Sequence, residues 1–445
     1  MTQAISSPME TTEAESAPTP LERRRTVLLA MLLFCFSLVI LLLTSVKLHI
    51  DPFAPSGSNH FVYQAQSLLQ GRLDIAPYVG AHNPPNNNTD IILVHGKHYI
   101  VYPPFPAILM MPLVAIFGLG LSDIFFTQVF SALNIALLFW LLELLRTSGR
   151  SRRTFQQNFA LCVFFFIGTI NFFLSLGGTM WFTAHIVATT CTLGCLLFAF
   201  KRRYVLSAIC LGCAFLTRAP AIVGLPVLLY LFLEQETGAA RLKEMIRALR
   251  ARLPWRKLVV ALVPLAVTLL LFLARNTLAF GNPLESGYTF LVQQKYTEVR
   301  YGVVGLHYIW PDFVVNFLSF PSFTFRDAFD ISPQLNLMPN NGIGLSVFAT
   351  TPLFLYLFFS RNRTPSPLRK ALWVSVGLLV AAALLYHAAG WIQFGARYLF
   401  EGYVYAFLLL ALSELEMGWR FYLLGVAGIL INLLGAQAFW GSLPG

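Results

Sequence analysis

Long apolar runs, many of 18 residues or more, recur along the chain and limit what it can fold into. Hydrophobic residues make up 57% of the 445 residues and charged residues only 11%. Charge is therefore too sparse to cover a water-facing surface. Long runs also indicate spanning helices rather than the short alternating strands of a membrane β-barrel. The sequence predicts an all-α, polytopic membrane protein.

The net charge of +11 comes from Lys and Arg residues that cluster beside the apolar runs. This is the positive-inside pattern, so the charge does not indicate a nucleic-acid partner. The first run, 27–46, follows Arg23, Arg24 and Arg25 and lacks a cleavage signature, which predicts an anchor with a cytoplasmic N-terminus. Residues 1–26 are expected to form a disordered cytoplasmic tail, and 27–445 a multi-pass domain in the plasma or inner membrane of a cell.

The proline-containing segment 103–118 decides the predicted topology. Counting it as a span would place four later basic clusters outside, so we interpret it as an interfacial or re-entrant segment. About eleven spans then follow: 27–46, 122–145, 157–175, 181–200, 204–217, 220–234, 258–275, 343–360, 371–389, 398–414 and 420–440. This topology leaves two long outer loops, 47–121 and 276–342, and an outer C-terminus.

The first outer loop holds five of the eight histidines and three aspartates. Within it, residues 59–71 have the pattern of a short amphipathic helix that ends at Gly71. A helix of this length cannot span, so we expect it to lie flat on the outer leaflet beside 103–118. A lipid-linked substrate would present its head group at this depth.

A series of motif residues runs through this loop: Tyr63, Ala65, Leu68, Leu69, Gly71, Gly96, Tyr99, Pro103, Pro104, Phe117 and Gly118. The order of these motifs resembles the membrane glycosyltransferases of the GT-C fold. The nearest resemblance is to the group that contains the dolichyl-phosphate-mannose protein mannosyltransferases and the aminoarabinose transferases. Weaker similarities are FLTRAP at 215–220, FGNPLESGY at 280–288 and FGARYLFEGYVYAFLLLAL at 394–412.

The resemblance implies a GT-C-like bundle that transfers a sugar on the outer face of the membrane. The donor would be a polyprenyl-phosphate sugar, and the acceptor a lipid, glycan or protein. The resemblance also implies an acidic base in the first loop, which takes the proton of the acceptor hydroxyl in an inverting displacement. Cationic side chains would hold the departing phosphate. Some relatives in the broad fold use a divalent cation, although the sequence shows no metal site.

The chain departs from this family where an acidic pair usually precedes the tyrosine, because Asn59 and His60 stand there. An amide cannot act as the base, so the candidates are Asp51, Asp90 and His60, whose imidazole titrates near neutrality. Asp51 and Asp90 could instead be turn residues, and His60 could face water. Asp74 is interpreted as a surface charge.

The best candidate phosphate ligands are Lys97 and Arg218, and Arg218 lies between two short spans. An unpaired cation would be costly there, so a ligand or an intramembrane ion-pair partner is expected. Arg397, at the outer end of a predicted span, is a candidate substrate-binding residue that could equally extend to lipid phosphates. The other predicted substrate-binding residues are Asn59, Tyr63, His98, Tyr102 and His185. Trp181 is interpreted as one of the aromatic residues at the membrane interface.

Two other functions remain open from the sequence. A transporter or flippase for a lipid-linked sugar would use the same cationic groove without a base, and so would a catalytically inactive relative. The departure at Asn59 and His60 keeps both open. The absence of an internal repeat and the large outer loops favour the transferase.

Overall fold

The computed structural model describes residues 20–78, 90–238, 243–245, 247, 254–296, 298–325, 333–337, 342–359, 366–390 and 393–441. Most of them are helical, and seven described helices are long and apolar enough to cross a membrane. The predicted class, an all-α membrane protein, agrees with this architecture. Helix α1 begins at Pro20, inside the predicted tail, and residues 1–19 lie outside the described part.

Up to residue 238, the described residues form nine α-helices and one hairpin. They are α1 (Pro20–Lys47), α2 (His60–Leu69), β1 (Ile91–Val94), β2 (Lys97–Ile100), α3 (Phe105–Phe117), α4 (Asp123–Thr147), α5 (Phe155–Phe166), α6 (Asn171–Leu176), α7 (Met180–Phe200), α8 (Tyr204–Phe215) and α9 (Leu225–Thr237), the last preceded by a 3-10 helix, Ala219–Gly224.

The second half adds α10 (Trp255–Phe280), α11 (Tyr288–Lys295), α12 (Ile309–Phe313), β3 (Ser322–Phe325), β4 (Pro333–Asn336), α13 (Val347–Thr350), α14 (Tyr356–Phe359), α15 (Pro367–Leu384), α16 (Tyr403–Ala411) and α17 (Trp419–Trp440). A 3-10 helix, Arg397–Gly402, leads into α16.

Several predicted spans are interrupted. The run 157–175 forms α5 and α6, with a break at Gly168 and Thr169, and the run 343–360 forms α13, a 3-10 turn from Pro352, and α14. The pair of short spans around Arg218 is present as α8 and α9, joined by the 3-10 helix. Such breaks are tolerated in a membrane protein where neighbouring helices bury them, and both broken runs contribute to the main apolar core.

The contacts sort the helix termini into two ends of the bundle. At one end Arg25 lies over the Phe155 ring, Lys201 lies over the Trp140 ring, and Arg150 pairs with Glu234 at 2.8 Å. This is the basic end. It brings together the start of α1, the start of α5 and the last turns of α4, α7 and α9. The basic clusters therefore meet in space, as the positive-inside pattern requires.

The opposite end, here called the loop end, carries the first long loop. Ser56 donates a hydrogen bond to Asp123 in the first turn of α4 (Oγ to Oδ2, 2.6 Å), and the Met180 amide at the start of α7 donates to the Ser58 carbonyl (3.1 Å). The Phe105 amide at the start of α3 donates to the Leu216 carbonyl just after α8. Both ends of α3 lie at this end, as expected of a segment that does not span.

Helix α2 confirms that 59–71 contains a helix, but it does not lie at the surface as predicted. It packs on α3 and the hairpin, and His60, Phe61, Val62, Tyr63, Gln64, Ala65 and Ser67 are all buried. The prediction failed because the polar residues of α2 suggested a water-facing side, whereas segments distant in the sequence cover that side. The hydrophobic residues of α2, α3 and the hairpin form a second, smaller core at the loop end.

The β1–β2 hairpin confirms the strand-like stretch around Gly96. The strands are antiparallel, with Ile91 opposite Ile100 and Val94 opposite Lys97. Gln294 on α11 caps its edge by accepting from the Leu93 amide (3.0 Å) and donating to the Leu93 carbonyl (2.8 Å). The two long loops of the chain therefore contact each other.

Gly178 sets the approach of α7 to α4. Its φ of +58° lies in the left-handed region, and a Cβ added there would stand 2.3 Å from the Cα of Ile124. Only glycine fits both the backbone conformation and the space. The close approach places Trp181, in the first turn of α7, beside Asp90 near the end of the first long loop.

Candidate functional site

Asp90 is the buried carboxylate of the first long loop. It lies immediately before β1, is 6% exposed, and has φ +58°, a left-handed conformation that Asp tolerates better than most residues. The indole N–H of Trp181 donates to its Oδ2 at 2.5 Å, and the Tyr296 hydroxyl donates to its Oδ1 at 3.2 Å. Three separate segments therefore fix one carboxylate.

Aromatic side chains connect Asp90 to the interior of the bundle. The Tyr296 ring lies 6.1 Å from His387, the His387 ring 4.4 Å from Tyr386, and the Tyr386 ring 5.4 Å from Tyr398. Burial, followed by the nearby Asp90 carboxylate, raises the pKa of Tyr296, while Arg397 acts in the opposite direction. The Tyr296 hydroxyl thus stays protonated as a donor, and it interacts electrostatically with charges of both signs.

Tyr102 and Tyr288 extend this series of aromatic side chains. The ring of Tyr288 lies 6.4 Å from Tyr102 and 6.2 Å from Tyr386. Burial raises the pKa of Tyr102 well above its ordinary value, so its hydroxyl also stays neutral. Neutral phenols therefore lie around the carboxylate, and each can act as a hydrogen-bond donor or acceptor.

Arg218 and His185 meet at Glu401, a residue that the sequence analysis did not single out. Glu401 Oε1 lies 2.8 Å from His185 Nδ1 and forms an ion pair with Arg218 Nε. All three side chains are buried, and the Arg218 guanidinium also lies 5.7 Å from the centre of the Tyr398 ring. The partner expected for Arg218 is thus present within the protein.

Arg397 also lies beside the Tyr398 ring but differs from Arg218. It is 6% exposed, and its guanidinium carbon lies 5.2 Å from the centre of the Tyr398 ring and 5.8 Å from that of Phe182. In the described part of the chain it forms no ion pair, and its buried Nε has no hydrogen-bond partner. Burying a cation without a counter-ion is expensive, which points to an anionic ligand.

Two more buried atoms near Arg397 lack partners within the described segments: Nε2 of His185 and Oε2 of Glu401. Buried polar atoms are nearly always hydrogen-bonded, to protein, water or ligand. Their presence beside an uncompensated arginine indicates that this region accommodates a polar molecule.

Some of the remaining predicted residues are buried in or beside the second core at the loop end, and the others are not. His60 is fully buried with its ring 6.3 Å from Trp181, so the expectation that it could face water was wrong. Asn59 and Tyr63 are buried and hydrogen-bond to each other, and Tyr63 stacks on Tyr78 at 6.0 Å.

Asp51, Lys97 and His98 lie in other surroundings. Asp51 is exposed and accepts the Phe53 amide at 2.9 Å, which is the turn role left open by the sequence. Lys97 is exposed at the hairpin turn, and the partly buried His98 uses its carbonyl to accept the Ile75 amide. Asp74, interpreted as a surface charge, is instead buried and pairs with Arg72 at 2.6 Å.

The residues missed from the sequence include Glu401, Tyr296, Tyr386 and Tyr398. Glu401 had a usable signal, because a carboxylate within an apolar run is rare and needs a partner such as Arg218. Trp181 was interpreted as an interfacial aromatic residue, whereas its indole binds Asp90. The tyrosines carried no signal, since only the folded chain brings residues 90, 296 and 386 together.

A divalent cation does not fit this site on its donor set. The groups around Asp90 are an indole N–H and a phenol, whereas Mg²⁺ and similar ions prefer several carboxylate or carbonyl oxygens. Across the described ranges no group of three or more His, Cys, Asp or Glu residues is placed to hold a metal ion.

The arrangement joins a fixed carboxylate to buried cationic side chains through a series of aromatic side chains. Such a site can take a proton at one end and hold an anion at the other. Searches of protein families, of curated proteins and of solved structures find no significant match to this chain.

Proposed function

We propose that the chain is a membrane glycosyltransferase of the GT-C type, with about eleven spans. It would transfer a sugar from a polyprenyl-phosphate donor to an acceptor hydroxyl at the outer membrane face. One observation carries the proposal: the buried Asp90 carboxylate and the uncompensated Arg397 guanidinium belong to the same aromatic-lined cluster. The resemblance in the first long loop supports the same reaction class.

Asp90 is the proposed base. The acceptor oxygen attacks the anomeric carbon, the bond from that carbon to the phosphate oxygen breaks, and the phosphate departs with the bonding electrons. Asp90 takes the proton of the acceptor hydroxyl in this step. The Trp181 and Tyr296 donors hold both carboxylate oxygens in place, so the base needs little reorganisation when the reaction occurs.

Arg397 is the proposed ligand of the departing phosphate, whose negative charge grows as the bond breaks. Arg218 adds positive charge nearby, but Glu401 neutralises most of it and fixes its position. The polyprenyl chain would remain in the lipid phase beside the bundle. The tyrosines between Asp90 and Arg397 are the proposed contacts of the sugar ring.

Donor turnover tests this function. The purified chain would be incubated with a panel of polyprenyl-phosphate sugars and a lipid and glycan extract of the source cell as acceptor. Release of polyprenyl phosphate with transfer of the sugar is the expected result. Movement of intact donor across a vesicle membrane, without its consumption, would instead identify a transporter and refute the transferase.

The direction of the chain in the membrane is tested separately. Lys97→Cys lies on the exposed hairpin of the loop end and Lys257→Cys on the exposed start of α10 at the basic end. In intact cells a membrane-impermeant maleimide should label the first variant and not the second. The reverse pattern would place the Asp90 site on the cytoplasmic side and contradict the proposed outer-face reaction.

A further inference from the structure

A groove at the basic end lies far from the Asp90 site. It is formed by the start of α8, the end of α9 and the start of α10, and its volume is about 560 Å³. This lies within the range of roughly 300–1,000 Å³ that is typical of small-molecule sites. The ion pair between Lys257 and Glu236 (2.7 Å) closes one side of it.

The walls of the groove are apolar and its rim is cationic. Val205, Leu206, Phe232, Val260 and Ala261 contribute the apolar surface. The charged residues on the rim are Arg202, Arg203, Arg256, Lys257 and Glu236. Four cations thus face one carboxylate, and that carboxylate is already paired with a lysine.

The rim arginines are open to a ligand. Arg202, Arg203 and Arg256 are exposed and form no ion pair within the described ranges, and the Arg256 guanidinium carbon lies 5.3 Å from the centre of the neighbouring Trp255 ring. Arginine guanidinium groups bind phosphate oxygens through paired hydrogen bonds. The rim therefore has the chemistry of a phosphate site.

Arg202 also has an unusual backbone. The α7–α8 connection is a Schellman turn, in which the Arg203 amide donates to the Phe198 carbonyl (2.8 Å) and the Arg202 amide to the Ala199 carbonyl (3.0 Å). The residue at the position of Arg202 in such a turn is usually glycine, because φ is positive there; Arg202 has φ +58°. Backbone strain of this kind is often found at functional sites, which suggests that the Arg202 side chain binds a ligand.

We infer that this groove binds the phosphate head group of an anionic phospholipid in the leaflet at the basic end. The rim would hold the phosphate, and the apolar wall the first carbons of an acyl chain. A free phosphate ion would leave that wall unused. Lys201 over Trp140 and Arg256 beside Trp255 are pairs expected at the head-group level of a membrane. This site is independent of the proposed sugar transfer, since it lies at the opposite end of the bundle.

The test compares two matched arginines with the purified, detergent-solubilised full chain. Arg256 and Arg420 each lie in the first turn of an apolar helix beside a tryptophan, but only Arg256 lines the groove. Native mass spectrometry would measure the Kd of dioleoyl phosphatidylglycerol. Arg256→Gln is expected to weaken binding about fivefold, which is the contribution of one cation to the affinity for an anionic lipid surface. Arg420→Gln should change the affinity less than about twofold.

A second variant separates binding from folding. Arg202→Gly removes the rim charge and relieves the backbone strain, so it should weaken phosphatidylglycerol binding while leaving the melting temperature unchanged or higher. Equal losses in Arg256→Gln and Arg420→Gln would overturn the inference, because they would show diffuse surface attraction. The inference would also be overturned if dioleoyl phosphatidylcholine bound as tightly as phosphatidylglycerol. The same holds if inorganic phosphate displaced the lipid at equal concentration.

Discussion

Replacing Asp90 with asparagine changes the proposed base and little else. Asparagine also tolerates a positive φ, so the turn before β1 is kept. Its amide oxygen can accept from the Trp181 indole, and its NH₂ group can donate to the Tyr296 oxygen in place of the bond that Tyr296 donates now. We therefore expect Asp90→Asn to fold and to keep the melting temperature of the wild-type chain within a few degrees.

The loss in rate follows from the role of the carboxylate. General-base catalysis contributes roughly 10²–10⁴-fold, which corresponds to about 3–5 kcal/mol of transition-state stabilisation. An amide has no basic lone pair at neutral pH, so Asp90→Asn forfeits this whole contribution. The KM for donor should change much less than kcat, because Arg397 and the tyrosines still bind the phosphate and the sugar.

The assay measures release of polyprenyl phosphate at saturating donor, in parallel for three proteins. Asp51→Asn is the matched control, since it makes the same change in the same loop at an exposed turn residue. Wild type and Asp51→Asn should turn over at similar rates, and Asp90→Asn at least 100-fold more slowly. Full activity in Asp90→Asn would refute the assignment of the base, and an inactive Asp51→Asn would show that the wrong aspartate has been chosen.

Three further variants test other parts of the structure. Arg397→Gln should weaken donor binding by roughly 10–100-fold and, without donor, raise the melting temperature, because it removes an uncompensated buried charge; unchanged donor binding would exclude the phosphate role. Burial raises the pKa of Asp312 from 3.8 to about 7. Between these two pH values the unfolded chain has lost this proton and the folded chain still holds it, so the folded state becomes less stable as the pH rises. The stability gained by Asp312→Asn should therefore grow from pH 4 to pH 7 and level off at about 2 kcal/mol, partly screened by water; a pH-independent difference in thermal unfolding would contradict this. Arg153→Ala should cost about 2–4 kcal/mol in thermal unfolding, because its guanidinium caps one carbonyl in the last turn of α16 and two carbonyls after it, whereas Arg152→Ala at an exposed position is the neutral control; equal effects of the two would count against the cap.

The sequence predicted best what depends on local composition. Continuous apolar runs predict helices such as α4, α7 and α17 to within a few residues, because a spanning helix satisfies its own backbone and needs no partner to be recognised. The breaks at Gly168 and Pro352 were not predicted, because burial by neighbouring helices decides whether an interruption is tolerated.

The site shows the same limit at the level of single side chains. An isolated Arg218 in an apolar environment predicted a partner, and electrostatics alone justified that expectation. The choice between Asp51 and Asp90 could not be made from the sequence, since either could have been a turn residue of the same loop. What distinguishes them is burial by Trp181 and Tyr296, which are 91 and 206 residues away from Asp90.

Helix α10 shows how the surroundings decide which substitutions a helix tolerates. Only 6% of its most apolar window is buried, and it approaches the protein mainly along α8, where a Cβ on Gly212 would come within 2.3 Å of the Thr268 hydroxyl oxygen. Along the side that faces α8, each side chain must fit the neighbouring helix. Around the rest of its circumference a bilayer requires only that the side chains be hydrophobic, so exchanges among Leu, Val, Ile and Phe should accumulate freely there over evolutionary time.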